Sequence, residues 1–503
     1  MSAEIYYNGN ILTMEDRHMP EALLVQGGKI SALGTVSELQ QLASDSVKIN
    51  LQGQTLMPGF IDAHSHIVQF ALSLRYVSLN GVTDFNDLCS RLTAYAVDRR
   101  IEAGAWIIGF GYDPTLLAEK THPTKKILDA SFPENPVIVS HISGHMGCLN
   151  SKAMEALGLS PSCQDGYFEE QQFMNLSAAV PKLTTEEALD LLDQAQDIYQ
   201  KFGITTAQEG YAKAYEWDLL RAAAAAGRLK MDIIAYIDIK DNADLLTKHS
   251  GYLGQYKNHL KLGGYKLFLD GSPQARTAWM TKPYLPLHAG EAQCFGHAVY
   301  TREEAQALVE IAKKADVQLL THCNGDAAID LLLDCYPEPV SSRDVIVHAQ
   351  MIRQDQLERA KSLGLMPSFF ISHIYYWGDT HIANLGRERA DRISPAESCV
   401  KIKLPFTFHT DTPVLPPHLL EAVQHAVQRK TASGVLLDQK EIPSVLEALK
   451  AITVYGAWQA FEENSKGTLA PGKTADFAIL DRNPLTTPAD ELQSIITNSK
   501  IVE

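Results

Sequence analysis

Eight apolar, β-rich runs recur between residues 56 and 411, and their number and spacing constrain the fold more than any other feature of the chain. They are Leu56–His66, Ile204–Glu209, Met231–Tyr236, Leu262–Asp270, Val317–His322, Asp344–His348, Leu365–Ile371 and Pro405–Asp411. Helical patterns separate them, among them the alanine-rich Leu219–Arg228 stretch and Arg302–Lys314. Apolar strands alternating with helices imply a parallel sheet. Eight of them is the number that closes an α/β fold into a (β/α)8 TIM barrel. With 503 residues the chain has room for that barrel and additions to it.

The additions are expected at the two ends and after the first strand. Ile5–Leu12 is followed by Ala22–Leu33, which reads as a hairpin around Gly27-Gly28. Gly467–Leu480 has the same texture, a turn and then a β run. These ends predict a small β-sandwich domain built from both termini, residues 1–55 plus 466–503. The barrel, residues 56–465, is inserted into it. The stretch from about residue 67 to 200 is too long for a plain strand-to-helix connection. It predicts an inserted subdomain after strand 1, with its own apolar run Pro136–His141.

Composition narrows the function classes. Hydrophobic residues make up 45% of the chain and charged residues 21%, which suits a globular protein with a large core. A formal net charge of -16 argues against nucleic acid or an anionic membrane as partner, since both need a basic face. No apolar run approaches the roughly 20 residues of a membrane span. Met1–Tyr7 lacks the basic and apolar regions of a signal peptide. The seven cysteines are scattered, odd in number and form no Cys-x-x-Cys pair, as in a reduced cytoplasmic protein. The expected partner is a small-molecule substrate, and self-association is left open.

The ends of the eight runs carry the chemistry. The first closes in Pro58-Gly59-Phe60-Ile61-Asp62-Ala63-His64-Ser65-His66. Side chains at i and i+2 of a strand share a side, so His64 and His66 can reach one metal ion while Ser65 turns away. The fourth run holds Lys266 among apolar neighbours, the fifth ends in His322, the sixth in His348 and the eighth in His409-Thr410-Asp411. Alone, each is as readily a strand-end residue satisfied by backbone or water. Barrel active sites, however, gather at the C-terminal ends of the strands. Together these groups make a ligand set for one or two divalent ions.

Those residues, with Gly467–Leu480, resemble the amidohydrolase superfamily of metal-dependent hydrolases. Gly109–Asp113, Gly144–Ser151, Lys266–Ser272 and Gly386–Ala390 resemble the branch of it (amidohydrolase family 3) that contains N-substituted formamide deformylases. The resemblance implies that His64, His66 and Asp411 hold the more buried metal and His322 and His348 a second. It also implies that Lys266, carboxylated by carbon dioxide to a carbamate, bridges both. Zinc is the expected ion from ligand type, as one or two ions per chain.

A metal-activated hydroxide is then the expected nucleophile, with Asp411 as general base. His145 is the candidate oxyanion donor, with His141 behind it. Asp270 is expected to orient the substrate or a ligand. Tyr112 and Trp377, with Trp106, Tyr375 and Tyr376, are expected to border the mouth of the site. The expected reaction is hydrolysis of a non-peptide C–N bond in an amide, an N-substituted formamide or a cyclic amide. An esterase, lactonase or deaminase on the same scaffold is the alternative, followed by a non-catalytic scaffold protein. The chain departs from its relatives at His409-Thr410, where Gly-Ser is common, and at Pro273-Gln274, where Leu-Gly is more usual.

Overall fold

Eight parallel strands form the central sheet: β1 (Phe60–Asp62), β2 (Ile204–Ala212), β3 (Asp232–Asp238), β4 (Leu260–Phe268), β5 (Gln318–Cys323), β6 (Val345–His348), β7 (Met366–Phe369) and β8 (Thr407–Phe408). They neighbour one another in chain order, each paired in parallel with the next, as in a (β/α)8 barrel. This computed structural model describes residues 3–15, 19–160, 165–288, 290 and 292–502. Of the seven cysteines, Cys163 lies outside the described residues.

The barrel seam between β8 and β1 is closed by another segment. Phe408 N donates to Ala451 O (3.2 Å) and Ile61 N donates to Ile452 O (2.9 Å). At the C-terminal end of the strands, Thr410 N and Oγ1 both donate to the buried Asp62 carboxylate (3.2 and 2.5 Å). This ties the loop that carries Asp411 to the strand that leads into His64.

The first apolar run does not form one strand over Leu56–His66. Thr55–Pro58 pairs with Asp476–Leu480 in a second sheet, and only Phe60–Asp62 joins the barrel. The chain changes sheets at Gly59, where an added Cβ would lie 2.1 Å from Thr205 Oγ1. A side chain there would force the two sheets apart.

Two four-stranded sheets form the β-sandwich, and both ends of the chain contribute to it. Tyr6, Leu23, Val25, Leu56, Leu469 and Phe477 pack between them. The strands Ala22–Gln26 and Lys29–Gly34 make the expected hairpin. Its turn residues Gly27 and Gly28 have φ of 56° and 69°, the left-handed pair that a two-residue hairpin turn of matching twist requires.

The chain divides into two compact units, Met1–Phe70 with Leu192–Glu503, and Ala71–Leu191. The second unit has a five-stranded sheet, with the strand Val137–His141 at its centre. Helix Phe85–Asp98 is capped by Asp84, and its Leu88 and Leu92 pack on Ile107, Val137 and Val139.

Below the barrel, buried charges bind its strand starts to the C-terminal segment. Lys261 Nζ donates to Glu462 and to Ala460 O (3.1 Å). Lys466 Nζ contacts Asp232, Thr206 Oγ1 (2.9 Å) and Glu462 Oε2 (3.2 Å). Burial pushes the Glu462 carboxyl up, but Lys466 and Lys261 outweigh it and hold the group below its ordinary value. A carboxylate depressed on folding contributes its full stability above its unfolded pKa and loses it as pH falls through the folded one. Glu462→Gln leaves the buried Lys261 ammonium without a carboxylate, while Lys466 keeps Asp232, and it is expected to cost about 3 kcal/mol, because one partner of a buried network is removed. Urea unfolding measures this loss, which should shrink toward acidic pH.

Candidate metal centre

The side chains that the strand ends deliver converge on one point. After β1 the chain turns through His64-Ser65-His66 into helix Ile67–Ser73. Ser65 Oγ donates to Gln208 O (3.1 Å), so it faces away. The His64 and His66 rings meet edge to face with centroids 5.1 Å apart. Their Nε2 atoms lie 3.7 and 3.5 Å from Asp411 Oδ1. Ligand atoms that share one ion at about 2.0–2.1 Å lie roughly 3–3.5 Å apart, so these spacings fit a common cation. Lys266 Nζ, fully buried, is 3.1 Å from His64 Nε2. His64, His348 and Asp411 each offer a ligand atom within 4.8 Å of the others. The His322 ring stands 4.6 Å from that of His348.

Electrostatics prepares these groups as donors. Burial and the adjacent Lys266 lower His322 to about 4. Burial holds His64 and His348 well below the ordinary histidine range. Neutral imidazoles keep a lone pair for a cation. Burial lowers Lys266 to about 7, so the amine exchanges its proton near neutrality. Burial works against an ionised Asp411, but His348, His66 and His409 outweigh it and keep the carboxylate well below its usual range. His66 behaves oppositely to its neighbours. Burial disfavours its charge, yet Asp411 and Glu209 raise it to about 9. The pocket between those two carboxylates therefore favours positive charge.

Supporting residues fix the ligand orientations. Glu209, at the end of the second apolar run, carries no role in the sequence reading. It is fully buried, accepts from Val68 N (2.9 Å) and lies 3.5 Å from His66 Nδ1. It thereby turns His66 Nε2 toward Asp411. His322 Nε2 lies 3.1 Å from Gly271 O and 3.0 Å from Asn324 Nδ2; the tautomer that donates to the carbonyl keeps Nδ1 as the lone pair. Asp270, expected to orient a substrate or a ligand, has its oxygens taken by three backbone amides: Asn324 N (2.9 Å), Gly325 N (2.7 Å) and Trp279 N (3.0 Å). It braces the loops that hold Gly271 against His322, and burial raises it to about 7. His348 and Asp411 have φ of 70° and 53°, strained values for non-glycine residues that cluster at functional sites.

The aromatic expectations resolve one by one. Trp377 is half-buried and packs on Phe370 and His373, with ring centroids 5.9 and 4.5 Å away. Phe370 in turn lies against His409 and His348. Tyr375 stacks on His425 (4.6 Å), and Tyr376 OH donates to Glu421 Oε1 (2.9 Å).

Tyr112, His141 and His145 belong to the unit Ala71–Leu191. There the buried Tyr112 hydroxyl bonds His122 Nδ1 (2.9 Å), and His141 Nδ1 bonds Ser143 Oγ (2.8 Å). His145 is exposed, with Nδ1 3.3 Å from Glu170 Oε2. Trp106 joins the apolar cluster of Ile108, Ile138 and Leu149 in the same unit.

Comparison with known proteins gives consistent results. The model of the "Amidohydrolase family" matches residues 48–502. The chain is 26% identical to the putative amidohydrolase YtcJ of Bacillus subtilis (strain 168), covering 99% of each chain. It is also 26% identical to the N-substituted formamide deformylase of Arthrobacter pascens, over 97% of this chain and 95% of that one. Among solved structures, an uncharacterized metal-dependent hydrolase from Pyrococcus horikoshii OT3 superposes with a TM-score of 0.77 at 28% identity, covering 97% of this chain and 99% of that one.

Proposed function

The chain belongs to the amidohydrolase family of metal-dependent hydrolases, and from that premise we propose that it hydrolyses a non-peptide C–N bond at a centre of two divalent ions. The observation that carries the reading is the approach of His64 Nε2, His66 Nε2, Asp411 Oδ1 and Lys266 Nζ to within 3.1–3.7 Å of their neighbours. His64, His66 and Asp411 would hold one ion, and His322 and His348 would hold the other. Lys266, as a carbamate, would supply anionic oxygen donors to the centre. An ammonium 3.1 Å from the His64 lone pair repels a cation, whereas a carbamate offers two anionic oxygens. The lowered Lys266 pKa supplies the neutral amine whose lone pair attacks carbon dioxide, forming the N–C bond and releasing one proton. Mixed imidazole and carboxylate donors suit zinc.

When bound, the ions supply Lewis acidity toward a substrate carbonyl and a water acidified to near neutrality. Asp411, ionised at neutral pH, accepts the proton released in the attack and returns it to the leaving nitrogen. An amide nitrogen leaves readily only when protonated, so a base that gives its proton back suits C–N cleavage. The half-buried Trp377, packed on Phe370, which itself lies against His348 and His409, suits an apolar or aromatic substituent on the substrate. The similarity to an N-substituted formamide deformylase supports the same bond class.

A panel of N-substituted formamides, linear amides and cyclic amides, run against matched esters, lactones and amino-heterocycles, tests the bond class. The expected result is turnover of formamides or amides with a kcat/KM at least about tenfold above any ester, a gap of about 1.4 kcal/mol in transition-state binding. Turnover of esters, lactones or amino-heterocycles alone contradicts it.

A further inference from the structure

His409 sits against the metal centre, yet its geometry is that of a brace. It is fully buried, as is Ser368 beside it. Ser368 and Phe369 of β7 pair with Thr407 and Phe408 of β8, and His409 N donates to Phe369 O (3.2 Å), so its backbone continues that ladder. The ring is walled in by His64 edge-on at 5.3 Å and by Phe370 at 5.5 Å. Both ring nitrogens already have protein partners. Nδ1 meets Ser368 Oγ at 2.8 Å, and Nε2 meets His348 Nδ1 at 3.1 Å. Neither is left for an ion.

The contact between two imidazole nitrogens allows only two proton arrangements. In one, Ser368 donates to His409 Nδ1, and His409 Nε2–H donates to His348 Nδ1. His348 then carries its own proton on Nε2 and presents a donor to the centre. In the other, His409 Nδ1–H donates to Ser368 Oγ, and His409 Nε2 accepts from His348 Nδ1–H. Only the second leaves His348 Nε2 as a bare lone pair.

We propose that His409 is a positioning residue that, anchored by Ser368, fixes the ring and tautomer of His348 so that its Nε2 faces a divalent ion. The inference rests on the metal-hydrolase reading of the same centre. It goes further in assigning this work to a histidine whose own nitrogens never touch the ion.

The test uses the full-length protein, stripped of metal and titrated with zinc against a competing chelator. His409→Phe keeps an aromatic ring but removes the acceptor. Its zinc affinity is expected to fall by about 10- to 100-fold, the usual loss when the partner of a ligating histidine is removed. His409→Gln retains a carbonyl oxygen that accepts from His348 Nδ1–H, and it should stay within about fivefold of the unaltered protein. Metal-free thermal unfolding of the two variants should match, which separates lost orientation from lost packing. Should His409→Phe fail to fold, Ser368→Ala frees the far end of the relay and is expected to weaken zinc by a smaller but measurable factor. Unchanged affinity in both His409→Phe and Ser368→Ala overturns the proposal, as does a loss in His409→Gln equal to that in His409→Phe. Absence of zinc binding by the unaltered protein overturns the metal reading itself, and so separates the two failures.

Discussion

Asp411→Asn is expected to reduce turnover by roughly ten-thousand-fold, the upper range for loss of a positioned general base. The substitution keeps the shape of the side chain and the loop that Asp62 holds through Thr410. It removes the charge that His66, His348 and His409 stabilise. Two losses coincide, because the same oxygen that approaches His64 and His66 also takes the proton in the proposed reaction. Metal content should therefore fall as well, and KM should change less than kcat. Circular dichroism of the metal-free variant should match that of the unaltered protein. A variant with near-normal kcat at full metal loading removes Asp411 from the chemistry.

Lys266→Met is the second large expectation. It is a buried exchange of similar length, and it deletes the amine that the proposed bridge requires. One ion of the two should be lost, and turnover should fall by about a thousand-fold, as expected when a charge-stabilising contact at the reacting centre is removed.

Stability should move the other way. Burial lowers the folded Lys266 pKa from 10.5 to about 7, so between those values the unfolded chain binds more protons than the folded one. Stability of the metal-free protein therefore rises with pH across that window. At neutral and lower pH the lysine is a cost, and methionine relieves it. Urea unfolding of both metal-free proteins at pH 6 and pH 9 checks the sign. The variant should be the more stable of the two at pH 6, and the gap should narrow at pH 9. A variant that keeps both ions and its turnover contradicts the bridge.

Much of this centre could be read along the chain because the barrel rule is local. A residue at the C-terminal end of an apolar run points to the site wherever the run lies, so His64, His66, His322, His348 and Asp411 stand out together by position, while Lys266, inside the fourth run, takes its role from the family resemblance. The residues that hold them do not. Asp270 reads as orienting a substrate or a ligand from its place before Gly271, but the backbone amides of Trp279, Asn324 and Gly325 that take its oxygens are revealed by no spacing. His409 departs from the usual residue at its position, and its meaning depends on a ring 61 residues earlier. Glu209 ended a recognised run and still carried no signal, since its partner His66 sits across the barrel's first strand pair.

The same division holds for the fold. Eight runs gave eight strands, whereas the break at Gly59 follows from its contact with Thr205, and the closing of the seam by Ala451-Ile452 follows from no repeating pattern.

Elemental analysis of the purified full-length protein, before and after chelation, tests the central claim most directly. About two equivalents of divalent ion per chain are expected, as in two-ion hydrolytic sites. Their removal should abolish hydrolysis of the best formamide or amide substrate, and their return should restore it. A metal-free chain that hydrolyses the substrate at full rate, or one whose activity ignores both chelation and metal addition, contradicts the account.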